Sequence, residues 1–298
     1  MADPKRLLVP DSQTIVILDT GPARHLSHSE EAKEWCATFA LMAQDGYSFS
    51  LADGAAAELI EQRYRETGGL TAEQCGDICA LLETFLNPEL PIMLGKVDIG
   101  GMLGLAKVPW SADQSRAHSL HFWSKLKKCA MPALKQQPLT RELQDEREDW
   151  IAMFDGWQRI FDKAQQEDPS ERLNAEDLTE GMLQAMDAPG KRWGTLTPPM
   201  SLRNHLSNRY YWRQFVRKQQ KRNAYNPRSK KKENDGIDAD LLRYLPLPAL
   251  IVTEDTAFLS GFQDIKSFQT AWIFRAKDLS DAWRAGNGPR PTWPEDLR

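Results

Sequence analysis

Residues 14–18 read T-I-V-I-L, a short, β-branched run without polar alternation, which predicts a strand covered on both faces. D-T-G-P follows at once. The segment from Ser27 to Gly46 carries Trp35, Phe39 and Met42 on one helical face; Ser27 and Glu30 have capping-box spacing, and Gly46 marks the stop. Y-S-F-S-L (47–51) predicts a second strand. A-D-G-A-A-A-E-L-I then opens a helix closed by Gly68 and Gly69, and Thr71 opens another that runs to Asn87-Pro88. A short strand over 90–94 completes a β/α alternation, the signature of a parallel sheet. Residues 95–109 form a Gly-rich connector that lacks the G-K-[ST] ending of a phosphate-binding loop.

The pattern then changes. Leu143, Trp150, Phe154, Trp157 and Phe161 recur at helical spacing in a segment, 139–187, with fourteen acids and five bases, so an amphipathic helical insertion with a solvated acidic face is expected. Alternation resumes with a helix start near 235, a buried strand over 249–253 and a last strand over 269–275, followed by an extended, loosely held tail. The expected fold class is therefore α/β: a central parallel sheet flanked by helices, with a large, mainly helical insertion. Its parts are a first core block at 10–110, the insertion at 111–207, a basic segment at 208–232, a second core block at 233–278 and the tail at 279–298.

Composition narrows the setting. With 27% charged and 41% hydrophobic residues, the 298-residue chain has ample core material. Four cysteines without a C-x-x-C pair fit a reducing compartment. No apolar run approaches about 18 residues, so a cytoplasmic protein without a membrane partner is expected.

Charge distribution says more than the net charge of −4. From Trp212 to Lys232 there are nine bases and no acid: Arg213, Arg217, Lys218, Lys221, Arg222, Arg228, Lys230, Lys231 and Lys232. Without them 29 bases face 42 acids, a balance of −13. The stripe is either a solvated helix face running into a loop or a surface for a polyanion. Tyr210, Tyr211, Trp212 and Tyr225, interleaved with it, favour a nucleic-acid surface, where rings stack on bases and cations meet phosphates.

Acids gather at the predicted strand ends. Asp19 follows the first strand, Glu58 sits in the helix after the second, Asp235, Asp238 and Asp240 crowd one helix start, and Asp255 follows a late strand through Thr253. Open parallel sheets collect active groups at the carboxyl ends of their strands. Carboxylates drawn together there need protonation or a cation, and hard divalent ions such as Mg²⁺ or Mn²⁺ take carboxylate oxygen. Such a set serves phosphodiester hydrolysis. Taken singly, Asp19 is also a good turn former, Glu58 a solvated helix residue, and the aspartate cluster a complement to a helix dipole.

At these residues the sequence resembles the PIN-domain nucleases. The pattern reads I-L-D-T-G-P (Asp19), A-A-A-E-L-I (Glu58), N-D-G-I-D-A-D-L-L (Asp235 or Asp238) and I-V-T-E-D-T-A-F-L (Asp255). The resemblance covers 13–95 and 233–275. It departs from the family pattern in the long insertion and in Arg24 and His25, which stand where apolar residues are usual. By distance from Thr253, Asp238 fits the third acid best and Asp235 next; Asp240 reads as a capping or exposed acid.

The resemblance implies a metal-dependent nuclease, with RNA favoured over DNA as substrate. Asp19, Glu58, Asp238 and Asp255 would be catalytic and bind Mg²⁺ or Mn²⁺, with Asp235 as outer or alternative ligand. Thr20 and Thr253 would position them, and the basic segment would hold the phosphate backbone. It also implies toxin–antitoxin or defence settings, with a protein inhibitor or a second copy of the chain as further partners. The alternative is a non-catalytic module, on a decayed PIN scaffold, that binds nucleic acid or a protein partner. A HAD-type phosphatase needs a second Asp two residues after Asp19, where Gly21 stands. His118 and His121 lack a third soft ligand, and Ser111, Ser115 and Ser119 lack a G-x-S-x-G elbow.

Overall fold

A computed structural model describes residues 8–65, 67–105, 110–132, 140–167, 173–188, 196–222 and 224–297. Outside them fall the end of the Gly-rich connector (106–109), parts of the insertion (133–139, 168–172 and 189–195), Asn223 of the basic segment and Arg298.

Five strands form one parallel sheet in the order β3-β2-β1-β4-β5. β1 (Thr14–Leu18) lies in the middle, with Ile15 opposite Ser48 of β2 (Tyr47–Ala52) on one side and opposite Ala249 of β4 (Ala249–Val252) on the other. All five β1 residues are buried, as a strand with neighbours on both edges and covered faces requires. β2 is equally buried yet carries two serines. Ser50 Oγ donates to Leu90 O (2.6 Å) and Ser48 Oγ accepts from Asn87 Nδ2 (2.9 Å), so neither hydroxyl is stranded. The outer strands are short: β3 is Ile92–Met93 and β5 is Ile273–Phe274.

α1 (Thr20–His25) starts after Asp19, one residue beyond β1; Pro22 in its first turn lacks only an N–H that a helix start leaves unpaired. α2 (Glu30–Gln44) is capped by Ser29, whose hydroxyl accepts from Ala32 N, not by Ser27. Phe39 of α2 stacks on Phe49 of β2 at 4.8 Å. α3 (Asp53–Arg63) ends before the two glycines, and α4 (Ala72–Leu82) has the capping box of Thr71 and Gln74. A π-turn over Gly95–Ile99 and the short α5 (Gly100–Met102) lead to α6 (Ala112–Lys128). α6 packs against α3, α4 and β3, and its Ser119 Oγ accepts from Ile92 N (2.9 Å).

The long α7 (Thr140–Glu167) lies against α3. α8 (Thr179–Asp187), α9 (Met200–Arg203) and α10 (His205–Gln219) follow. Phe154 of α7 and Phe215 of α10 are fully buried, and Trp157 meets Phe215 at 5.5 Å. The buried Arg203 guanidinium donates to three carbonyls, Thr197 O (2.7 Å), Pro198 O (2.8 Å) and Pro246 O (2.9 Å).

α11 (Asp235–Asp240) packs on α7. A Cβ on Gly236 would stand 2.7 Å from Trp150 Cβ, so glycine is what allows this approach. After β4 come α12 (Thr256–Ser260) and a 3₁₀ turn over Phe268–Trp272, which takes up most of the stretch expected as the last strand. α13 (Ala276–Arg284) packs on α2. The tail is docked rather than loose: Arg290 donates to Asp45 O (2.7 Å) and stacks over Tyr47, while Trp293 packs on Trp272 at 5.2 Å.

Candidate functional site

The order of strands reverses around β1, so the carboxyl ends of β1 and β4 flank the crevice where open α/β sheets place ligands. Asp19 stands at the end of β1, its backbone N–H bonded to Val252 O of β4 (2.9 Å). Its Oδ1 accepts from Thr20 N (2.6 Å), capping α1, and its Oδ2 accepts from Thr253 Oγ1 (2.7 Å). The Thr253 hydroxyl also accepts from Asp255 N (3.1 Å), tying both acids to one buried side chain. Asp255 caps α12, its Oδ1 accepting from Phe258 N (2.7 Å).

Glu58 projects from α3 to the same place. Its Oε2 accepts from Thr20 Oγ1 (2.5 Å) and its Oε1 from Asn234 Nδ2 (3.1 Å). Arg147 of α7 donates to Asn234 Oδ1 (2.9 Å). Because arginine can only donate, it fixes which end of the Asn234 amide faces Glu58. Asp235 and Asp238, one turn apart on α11, share a helix face and line the crevice. Lys232 lies 3.4 Å from Asp235. Among the described residues no donor bonds the Asp238 carboxylate.

The titration behaviour reflects this crowding. Burial pushes the Asp19 carboxyl up, against the Thr253 and Thr20 hydrogen bonds, and the charges of Asp255 and Glu254 add to the rise. Burial pushes Glu58 from 4.5 to about 7, opposed by the Thr20 bond and helped by the Asp19 charge. Asp238 is held well above the usual carboxylate range, first by burial and then by Asp19, Glu58, Asp255 and Asp235 in turn. Asp235 is raised by burial despite Lys232.

The structure thus gathers Asp19, Glu58, Asp235, Asp238 and Asp255 and leaves out Asp240. Asp240 is neither a cap nor an exposed acid. It faces away, in a polar cluster with Glu146, Arg243 (2.8 Å) and Lys96, where burial and a carboxyl–carboxyl hydrogen bond to Glu146 push it up to about 9. At the crevice, the donor set is all oxygen and suits a hard divalent cation, and Asp238, pressed by four like charges and unbonded, is where one would relieve most repulsion. Among the described residues no three His, Cys, Asp or Glu side chains stand close enough around one point to hold a metal ion. Each acid but Asp238 is instead engaged by its own protein partners.

Asp235, Asp238 and Asp255 line a cavity of about 480 Å³ together with four cations of the basic segment, Arg213, Arg217, Lys231 and Lys232. Arg213 Nε is held by Asp264 (2.9 Å) and Arg217 Nη1 by Gln214 (2.9 Å). The others disperse. Lys218 donates to Gln158 (2.7 Å) and Arg228 to Asp155 (2.6 Å), whereas Lys221, Arg222 and Lys230 are exposed and make no ion pair among the described residues. The interleaved aromatics are not a stacking platform: Tyr210, Trp212 and Tyr225 are buried, Tyr211 is partly buried, and Trp150 Nε1 donates to Tyr225 OH (2.9 Å). His118 stacks on Trp110 at 4.2 Å, away from any such cluster.

Two residues at the site were missed, Asn234 and Arg147. Asn234 reads as the start of a helix, and its contact with Glu58 spans 176 residues of chain, beyond any local signal. Comparison of the chain with protein-family models, curated proteins and solved structures finds no match. Among the described residues no helix is long and apolar enough to cross a membrane.

Proposed function

We propose that the protein is a PIN-like, metal-dependent nuclease that hydrolyses phosphodiester bonds, with RNA as the favoured substrate. The observation that carries this reading is the crevice itself: Asp235, Asp238 and Asp255 line one cavity together with four cations, and the charges of Asp19 and Glu58 bear on the same Asp238. Carboxylates alone would repel a phosphate; cations alone would bind one without a reason for the acids. To hold Mg²⁺ or Mn²⁺ together, Asp19, Glu58, Asp238 and Asp255 would have to draw closer around one point, Asp19, Glu58 and Asp255 turning from their present protein partners, with Asp235 beside them. Such an ion supplies an activated water and charge stabilisation at the leaving oxygen. Thr20 and Thr253 orient Glu58 and Asp19 through their hydroxyls. Arg213 and Arg217 would take the phosphate, their guanidinium groups already fixed by Asp264 and Gln214.

The experiment has two readouts. Mn²⁺ at about a hundred times its Kd is expected to stabilise the wild type by about 2.7 kcal/mol, and the Asp238→Asn variant far less. Labelled single-stranded RNA is expected to be cut by the wild type and left intact by Asp19→Asn and Asp238→Asn. Equal cleavage by wild type and variants would sink the assignment.

A second reading is a non-catalytic strand-binding module, favoured by the hydrogen bonds that engage every acid but Asp238 within the protein. It predicts strand binding indifferent to EDTA, and no cleavage.

A further inference from the structure

We infer that the cavity adjoining the carboxylate crevice is a second nucleotide subsite, which takes the unpaired base next to the phosphate held at Arg213 and Arg217. The inference rests on the nuclease reading above and names where its substrate continues. This cavity, about 690 Å³, shares Arg213 and Arg217 with the crevice, so the two spaces meet at these arginines.

The chemistry of the walls fits a nucleotide. α10 presents Arg209, Arg213 and Arg217 at four-residue intervals, a row on one face stepping about 6 Å each time. Arg209 is engaged by Asp187. Arg213 has its Nε on Asp264, which fixes the guanidinium plane, while its Nη1 is buried without a hydrogen-bond partner among the described residues. Lys266 stands exposed at the rim and makes no ion pair among the described residues. The lining thus carries four cations against two acids, Glu176 and Asp264. Leu183, Val216 and Ile265 supply apolar wall, and the Trp212 indole is fixed by its bond to Thr179 Oγ1 (3.1 Å). Cations beside an apolar recess suit a phosphate followed by a splayed base. A duplex keeps its bases stacked inside and offers nothing to enter the recess.

The test reads binding in EDTA, so cleavage does not enter. A fluorescein-labelled single strand of about ten nucleotides, as RNA and as DNA in separate arms, is titrated into the full chain at several salt concentrations and followed by anisotropy. Val216→Trp fills the recess and Lys266→Gln removes a rim charge; neither residue belongs to the carboxylate site. Val216→Trp is expected to weaken binding about tenfold. Lys266→Gln is expected to weaken it severalfold and to lower the slope of log affinity against log salt by about 0.7. Should circular dichroism find Val216→Trp misfolded, the Lys266→Gln slope decides alone. Unchanged affinity and slope overturn the inference, as does duplex binding as tight as the single strand. Displacement by polyglutamate as easily as by a strand also overturns it, pointing to an acidic protein partner instead. If Asp238→Asn cleaves like the wild type while the two subsite variants bind weakly, the nuclease assignment falls and the subsite stands. The reverse pattern removes the subsite alone.

Discussion

Without metal, the carboxylate crevice should make the fold less stable as pH rises, and Glu58 contributes a share that can be worked out. In the unfolded chain its carboxyl ionises near 4.5; in the fold, burial moves this to about 7. Between those values the folded state keeps a proton that the unfolded state has released. The stability that Glu58 contributes therefore falls as pH rises through this window and levels off above 7. At about 1.4 kcal/mol per pH unit the loss is about 3 kcal/mol, and Glu58 is only 8% exposed, so solvent screens little of it. Asp19, Asp235 and Asp238 are raised too and act with the same sign. The assay is urea unfolding in EDTA at steps from pH 5 to pH 8. Glu58→Gln keeps an acceptor for Thr20 but cannot ionise, so its stability should fall by about 2.5 kcal/mol less than wild type over that range. Parallel curves for the two proteins, or a wild type that gains stability from pH 5 to 8, would refute the reasoning.

Gly236→Ala drives a methyl into Trp150 and should cost about 1–3 kcal/mol in urea unfolding; because it shifts the helix that carries Asp235 and Asp238, Mn²⁺ should also stabilise this variant less than wild type. Arg203→Met strips donors from three carbonyls, and a loss of about 3 kcal/mol or more in the same assay is expected.

The sequence was most legible where one physical demand dominated. β1 and β4 are covered on both faces, and T-I-V-I-L and A-L-I-V announce that without a helical period. β5 misled because Gln269–Trp272 has a strand's composition, yet the Gln269 amide, buried, bonds Arg203 O, Leu245 O and Leu206 N, an arrangement set by partners far along the chain. The acids at the strand ends were legible because position on a parallel sheet is nearly enough to bring them together. Asp240 was not: its neighbours Glu146 and Lys96 belong to other parts of the chain. The aromatics of the basic segment were read as surface because they alternate with cations. On α10 they turn inward as the arginines turn outward, a helical sorting that composition alone does not reveal.

β1 takes its two neighbours from opposite ends of the chain. β2 comes within thirty residues of it, whereas β4 begins at Ala249, after the whole helical insertion. During synthesis, Asp19 and Glu58 therefore leave the ribosome long before Asp238 and Asp255, and the central strand waits with one edge bare. If the crevice cuts RNA, the half-made chain cannot do so, and the activity switches on only as the last strands dock. The bare edge of β1 is then the point at which an unfinished chain is most exposed to wrong pairing.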